Sequence, residues 1–159
     1  MFSSTSIGAM FQESVLHFGN DPCVSSKDAV GRYRTITYAE LDSLVRKLAL
    51  YLMEAGVNKG DKVALFSPNR YEWWLADLAI LSIGAVNVPI YATNSAEEAG
   101  HVIKDSDAIF LMAGTAAHLA KGLESTPDLR GALVFDEAAD LKPGVITLSA
   151  ALAKGAGHP

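Results

Sequence analysis

Cysteine is almost absent. Cys23 is the only one in 159 residues, so no internal disulfide can form, and a reducing cytoplasm is the expected compartment. In a strand its thiol reads as a small apolar side chain rather than a nucleophile. Charge is sparse too: charged residues make up 19% of the chain, the net charge is −5, and no basic cluster occurs. That argues against a nucleic-acid partner, because binding a phosphate backbone needs a positive field. The longest apolar stretch, Trp73 to Ile90, is broken by Asp77, Gly84 and Pro89, and reads as helix plus strand rather than a transmembrane segment. No basic region followed by an apolar run opens the chain, so no secretory signal is expected. Missing as well are GxGxxG, GxxxxGK followed by Ser or Thr, GxSxG and HExxH. The four histidines, His17, His101, His118 and His158, are scattered without a metal-ligand spacing, so no metal site is expected. No residue stands out as catalytic.

What the chain has is apolar side chains, 50% of its residues. A single domain of this length buries roughly 68 to 70% of its unfolded surface. Its centre is VALFSPNRYEWWLADLAILSIGAVNVPIY, Val63 to Tyr91, which reads as strand, turn, helix and strand, a right-handed βαβ unit. A helix carrying Trp73, Trp74, Leu75, Leu78, Ile80, Leu81 and Ile83 has no wide polar face and must be covered on more than one side. Buried fully, each indole would contribute roughly 4 to 6 kcal/mol as an upper bound.

The flanking segments extend the pattern. Ser6 to Phe18 places Ile7, Met10, Phe11, Val15 and Phe18 on one face of a surface helix that stops at Gly19-Asn20. Cys23 to Ser26 and Tyr33 to Ile36 read as a hairpin joined through Lys27 to Gly31, with Gly31 suited to a bulge. Thr37 and Glu40 form a capping box ahead of a helix that Gly56 ends. Beyond Asp61, strands at Lys62 to Phe66, Val86 to Ile90, Ala108 to Met112 and Ala132 to Phe135 alternate with helices at Tyr71 to Ile83, Ala96 to Asp105 and Thr115 to Glu124. The expected fold is α/β: a doubly wound, mainly parallel sheet with helices on both faces, preceded by a helix and a short β-hairpin. Residues 137–159 are expected to form a weakly ordered tail, with a turn at Asp140 to Gly144, a short strand at Val145 to Leu148, and small residues with little to pack from Ala150.

A ligand of such a sheet binds beyond the carboxyl ends of the strands. Those ends carry Ser67 and Asn69, Tyr91 to Asn94, Gly114 and Thr115, and Asp136. Gly114-Thr115 at a helix start offers N–H groups to an anion, although the same pair serves equally as turn glycine and N-cap. Asp77, inside an apolar helix, reads as a hydrogen-bonded partner of a neighbouring group. The first strand ends in Ser67-Pro68 rather than aspartate, which counts against a receiver-type phosphorylation domain.

The run ITYAELDSLVRKLALYLMEAGVNKGDKVALFSPNRYEWWLADLAILSIGAVNVPIYATNSAEEAGHVIKDSDAIFL resembles the amino-terminal part of adenylate-forming acyl-CoA synthetases, and PIYATNSAEE is most similar to the long-chain fatty-acid branch. The likeness extends from about Ile7 to about Leu148. It implies ATP-dependent conversion of a carboxylate to an acyl-adenylate with release of pyrophosphate, then thioester formation with coenzyme A, assisted by Mg²⁺. The family's Ser/Thr/Gly-rich phosphate loop, its ribose and acyl-pocket residues and its catalytic lysine have no counterpart here. The resemblance therefore implies the first portion of a cytoplasmic or membrane-peripheral ligase, inactive as this fragment, with the rest of the ligase as its partner and no cofactor bound to it. One carry-over is specific: basic residues that approach the 3′-phosphate of coenzyme A in acetate-activating relatives fall at His118 and Lys121, three apart on one helical face. The alternative is a non-catalytic α/β interaction module that docks or homo-oligomerises through an exposed sheet edge or apolar face. A flavodoxin-like mononucleotide binder is a third reading, one that lacks phosphate-loop composition.

Overall fold

The structure, a computed structural model, describes residues 5–27, 30–126 and 128–157. Helix α1 (Ile7–Phe18) and the antiparallel hairpin of β1 (Pro22–Lys27) and β2 (Tyr33–Thr37) come first. Asp28 and Ala29 in the expected hairpin connection, and His158 and Pro159 in the expected tail, lie outside the described residues. Then follow α2 (Tyr38–Glu54), β3 (Lys62–Phe66), α3 (Tyr71–Ser82), β4 (Val86–Ile90), α4 (Ala96–Asp105), β5 (Ala108–Ala113), α5 (Ala116–Ser125), β6 (Gly131–Val134), β7 (Val145–Thr147) and α6 (Leu148–Gly155).

Strands β3 to β7 form one sheet in the order β4-β3-β5-β6-β7, every neighbour parallel. The expected doubly wound α/β fold is therefore the one observed. Alternation along each strand divides the apolar residues between two layers. Val63, Leu65, Phe110, Met112, Leu133 and Phe135 face a core shared with α1, α2, α3 and α6. Ala64, Phe66, Leu111, Ala113, Ala132 and Val134 face a second core shared with α4 and α5. The expected capping box of Thr37 with Glu40 forms, and Ser95 with Glu98 makes a second at the start of α4. Gly84 stops α3 at φ +73°, a conformation that would strain a residue with a Cβ.

Two expectations need correction. The indoles do not dominate the core: Trp74 is 53% exposed and Trp73 half-buried, whereas Leu75, Ala76, Ala79 and Ile80 are fully enclosed. A helix advances about 100° per residue, so two adjacent indoles cannot both face the sheet, and the smaller side chains of α3 take the inner positions. The segment after Pro143 is also more than a loosely packed tail, since β7 extends the sheet and α6 packs on α2 with Leu148 and Ala151 buried. Its small residues are what permit the contact: a Cβ on Gly155 would collide with the Lys47 carbonyl.

Candidate functional site

Strand order reverses between β3 and β5, because α3 leads from β3 outward to β4 and α4 returns the chain to β5 on the other side. In open parallel sheets, ligands bind in the crevice that such a reversal opens at the carboxyl ends. Here the crevice is filled. The Gly114 N–H donates to Phe66 O at 2.9 Å, and a Cβ on Gly114 would collide with Ser67 Oγ and lie 2.9 Å from Pro68 Cδ. Ser67, buried, turns its hydroxyl to Pro68 O at 2.9 Å.

Above the filled crevice lies Arg70, which sequence reasoning missed. Its Nε and Nη2 donate to the two carboxylate oxygens of Glu72 at 2.7 and 2.8 Å, a forked pair. Nη1 donates to Gly114 O at 2.9 Å and to Asp136 Oδ1 at 2.8 Å, and the guanidinium carbon stands 5.8 Å from the centre of the Phe135 ring. The hydrogen bond to Glu72 is the main reason that Arg70 holds its proton more firmly than a free guanidinium; burial opposes this and Asp136 adds to it. One side chain thus joins the turn after β3 to those after β5 and β6. The local signal was the Arg-x-Glu at the start of α3, but Gly114 and Asp136 are 44 and 66 residues away and no spacing rule points to them.

His118 and Lys121 both stand on α5 and are directed at the loop that follows β4. His118 Nε2 lies 3.1 Å from Ala92 O, and a carbonyl can only accept, so Nε2–H donates. Thr115, the N-cap of α5, accepts from His118 N–H at 3.3 Å, which leaves its hydroxyl proton for His118 Nδ1 at 2.7 Å. The imidazole stands edge-on to Phe66 at 4.7 Å between centroids. Lys121 Nζ donates to Asn94 O at 3.0 Å. The two side chains therefore set the height of the Ala92–Asn94 loop. That loop walls a cavity of about 520 Å³ with Ser67, Pro68, Trp73 and Tyr91. Asp77 meets its expected partner: Asn87 Nδ2 donates to its Oδ1 at 2.7 Å.

The rim carries two carboxylates near Arg70. Its carboxylates Glu72 and Asp136 are engaged by Arg70, and among the described residues no group of three His, Cys, Asp or Glu converges on a metal position. Lys121 gives Asn94 one of its three N–H donors.

The sheet and its rim define a class. Coronafacic acid ligase from Pectobacterium brasiliense superposes with a TM-score of 0.84 at 22% identity, over 94% of this chain and 29% of that one. Acetoacetyl-CoA synthetase from Streptomyces lividans gives 0.82 at 20% identity, over 93% of this chain and 25% of that one. At these identities the likeness is one of fold. The chain belongs to the AMP-binding enzyme family, whose sequence description matches residues 11–155. Among its relatives, the long-chain-fatty-acid–CoA ligase FadD15 of Mycobacterium bovis is 45% identical over 106 residues, 65% of this chain and 18% of the relative. The long-chain-fatty-acid–CoA ligase ACSBG2 of Rattus norvegicus is 35% identical over 122 residues, 77% of this chain and 18% of the relative. The chain thus spans less than a fifth of these curated relatives. Among the described residues no helix is long and apolar enough to cross a membrane.

Proposed function

We propose that this chain is the amino-terminal portion of an ATP-dependent long-chain fatty acid:CoA ligase, which adenylates a carboxylate and then forms the thioester, and that it does not turn over alone. The observation that carries the reading is 45% identity to a long-chain-fatty-acid–CoA ligase combined with coverage of only 18% of it. Stabilising the transferring phosphates needs positioned donors and a metal site, and the rim residues are occupied with one another. The piece acts as scaffold, holding the Ala92–Asn94 loop and α5 for the rest of the ligase. ATP, Mg²⁺ and coenzyme A belong to the whole enzyme, with coenzyme A facing His118 and Lys121. Two assays of the full-length parent test this. Palmitoyl-CoA formation that requires both ATP and Mg²⁺ is expected, and its absence contradicts the ligase assignment. Lys121→Ala should raise the KM for coenzyme A several-fold, and an unchanged KM removes the coenzyme A role.

A second reading, an interaction module, is supported by the exposure of Trp74 and Tyr91, at 53% and 83%. The β4 edge itself supports it less. Val86 N–H donates to Asp61 O, on the β3 side, so by alternation Asn87 and Pro89 direct their backbone outward. Proline has no N–H there to pair with an added strand. Light scattering over a concentration series decides: mass growing with concentration favours this reading, and a constant monomer mass counts against it.

A further inference from the structure

The Gly114 backbone is fixed on both sides by distant groups. Its N–H is held by Phe66 O at 2.9 Å and its carbonyl by Arg70 Nη1, also at 2.9 Å. Without a side chain, a glycine has no rotamer or Cβ contact to restrict it, so these two bonds decide how the peptide into Thr115 is oriented. Thr115 is the next link, because its hydroxyl sits between the His118 N–H and His118 Nδ1, and His118 Nε2 in turn donates to Ala92 O. A path of hydrogen bonds, with one covalent step from Gly114 to Thr115, therefore runs from Glu72 and Asp136 through Arg70 and on through His118 to the Ala92–Asn94 loop. It crosses the ends of β6, β3, β5 and β4.

We propose that Arg70 is a positioning residue for the His118 imidazole and the Ala92–Asn94 loop, acting through the Gly114 carbonyl without touching a ligand itself. Its consequence for coenzyme A rests on the reading of His118 and Lys121 given above; the positioning does not. The alternative role is local, the pairing of Glu72 at the start of α3, and the two roles separate by substitution. Arg70→Lys keeps a positive charge beside Glu72 but, as a single ammonium, cannot grip both the carboxylate and the Gly114 carbonyl in the forked geometry. Arg70→Gln combined with Glu72→Gln removes the Arg70–Glu72 pair together and leaves only the half-exposed Asp136 carboxylate without its partner.

The test is the nitrogen spectrum of the His118 imidazole in the 159-residue chain. The wild type should show a single tautomer protonated on Nε2, with that proton slow to exchange. In Arg70→Lys, and in the double variant, exchange of the Nε2 proton should quicken at least tenfold, with far-UV circular dichroism unchanged. Either variant folded with the His118 signals of the wild type would overturn the proposal, as would the same quickening in Glu72→Gln alone, which leaves Arg70 in place. In the full-length parent, Arg70→Lys should raise the KM for coenzyme A by a larger factor than it lowers kcat. If His118 is released while Lys121→Ala leaves that KM unchanged, the positioning stands and the coenzyme A reading falls. If His118 is undisturbed while Lys121→Ala raises the KM, the reverse holds.

Discussion

Putting alanine at Gly114 would insert a methyl group where Ser67 Oγ and Pro68 Cδ already stand, in a turn tied to Phe66 O and Arg70. Neither neighbour is the free end of a flexible chain, so Gly114→Ala is expected to cost about 1 to 3 kcal/mol as an overpacking change, measured by urea unfolding. Stability equal to wild type would mean that the β3 and β5 turns are not closed on each other. The burial pattern of α3 makes a second contrast. Leu75 is fully enclosed and Leu75→Ala should cost about 2 to 5 kcal/mol, whereas Trp74→Ala should cost less than half as much despite removing a larger side chain. Composition favours the opposite order, because the apolar identity of a residue is visible in a sequence while the direction it faces on a helix covered by α1, α2, the hairpin and the sheet is not. The rim was legible to the same partial degree. Ser67, Asn69, Gly114 and Asp136 could be placed at strand ends from the periodicity alone. Arg70 could not be joined to them, because its partners are distant in sequence and meet only through the strand order.

Helix starts were the most legible elements, since a capping box lies within four residues. The boxes also make stability depend on pH. The Glu40 and Glu98 carboxyls are held below their ordinary value near 4.5, chiefly by hydrogen bonds from the backbone N–H of Thr37 and Ser95. A carboxyl depressed in the folded state contributes stability that is fully present above its unfolded pKa and is lost as pH falls through the folded one. Melting temperature should therefore fall below about pH 4.5, and Glu98→Gln should flatten that acid limb while leaving its position above pH 6 nearly unchanged. An acid limb with wild-type slope in the variant would remove the Ser95–Glu98 box as a contributor. The carboxyl-terminal elements were unevenly legible: the short strand at Val145–Thr147 matches the one expected from Val145, but the Ala-rich run after it has nothing to mark it as core. What makes it core is the close approach that Gly155 allows to the backbone of α2, a tertiary fact.

For the molecule as a whole, the fold class followed from four apolar strand segments separated by helix-length connections, which leave few arrangements other than a parallel sheet. The strand order was not in the pattern, and with it came the close approach of the turns after β3 and β5. Both cores are formed within the described residues. The ligase chemistry proposed above needs a partner. Arg70, His118 and Lys121 are each committed to groups of the chain itself, and no metal-ligand group stands beside them among the described residues. The most direct measurement is pyrophosphate release by the purified 159-residue chain supplied with ATP, Mg²⁺, palmitate and coenzyme A, beside a full-length parent. The account expects release from the parent and none above buffer from the chain; sustained release from the chain alone would contradict it.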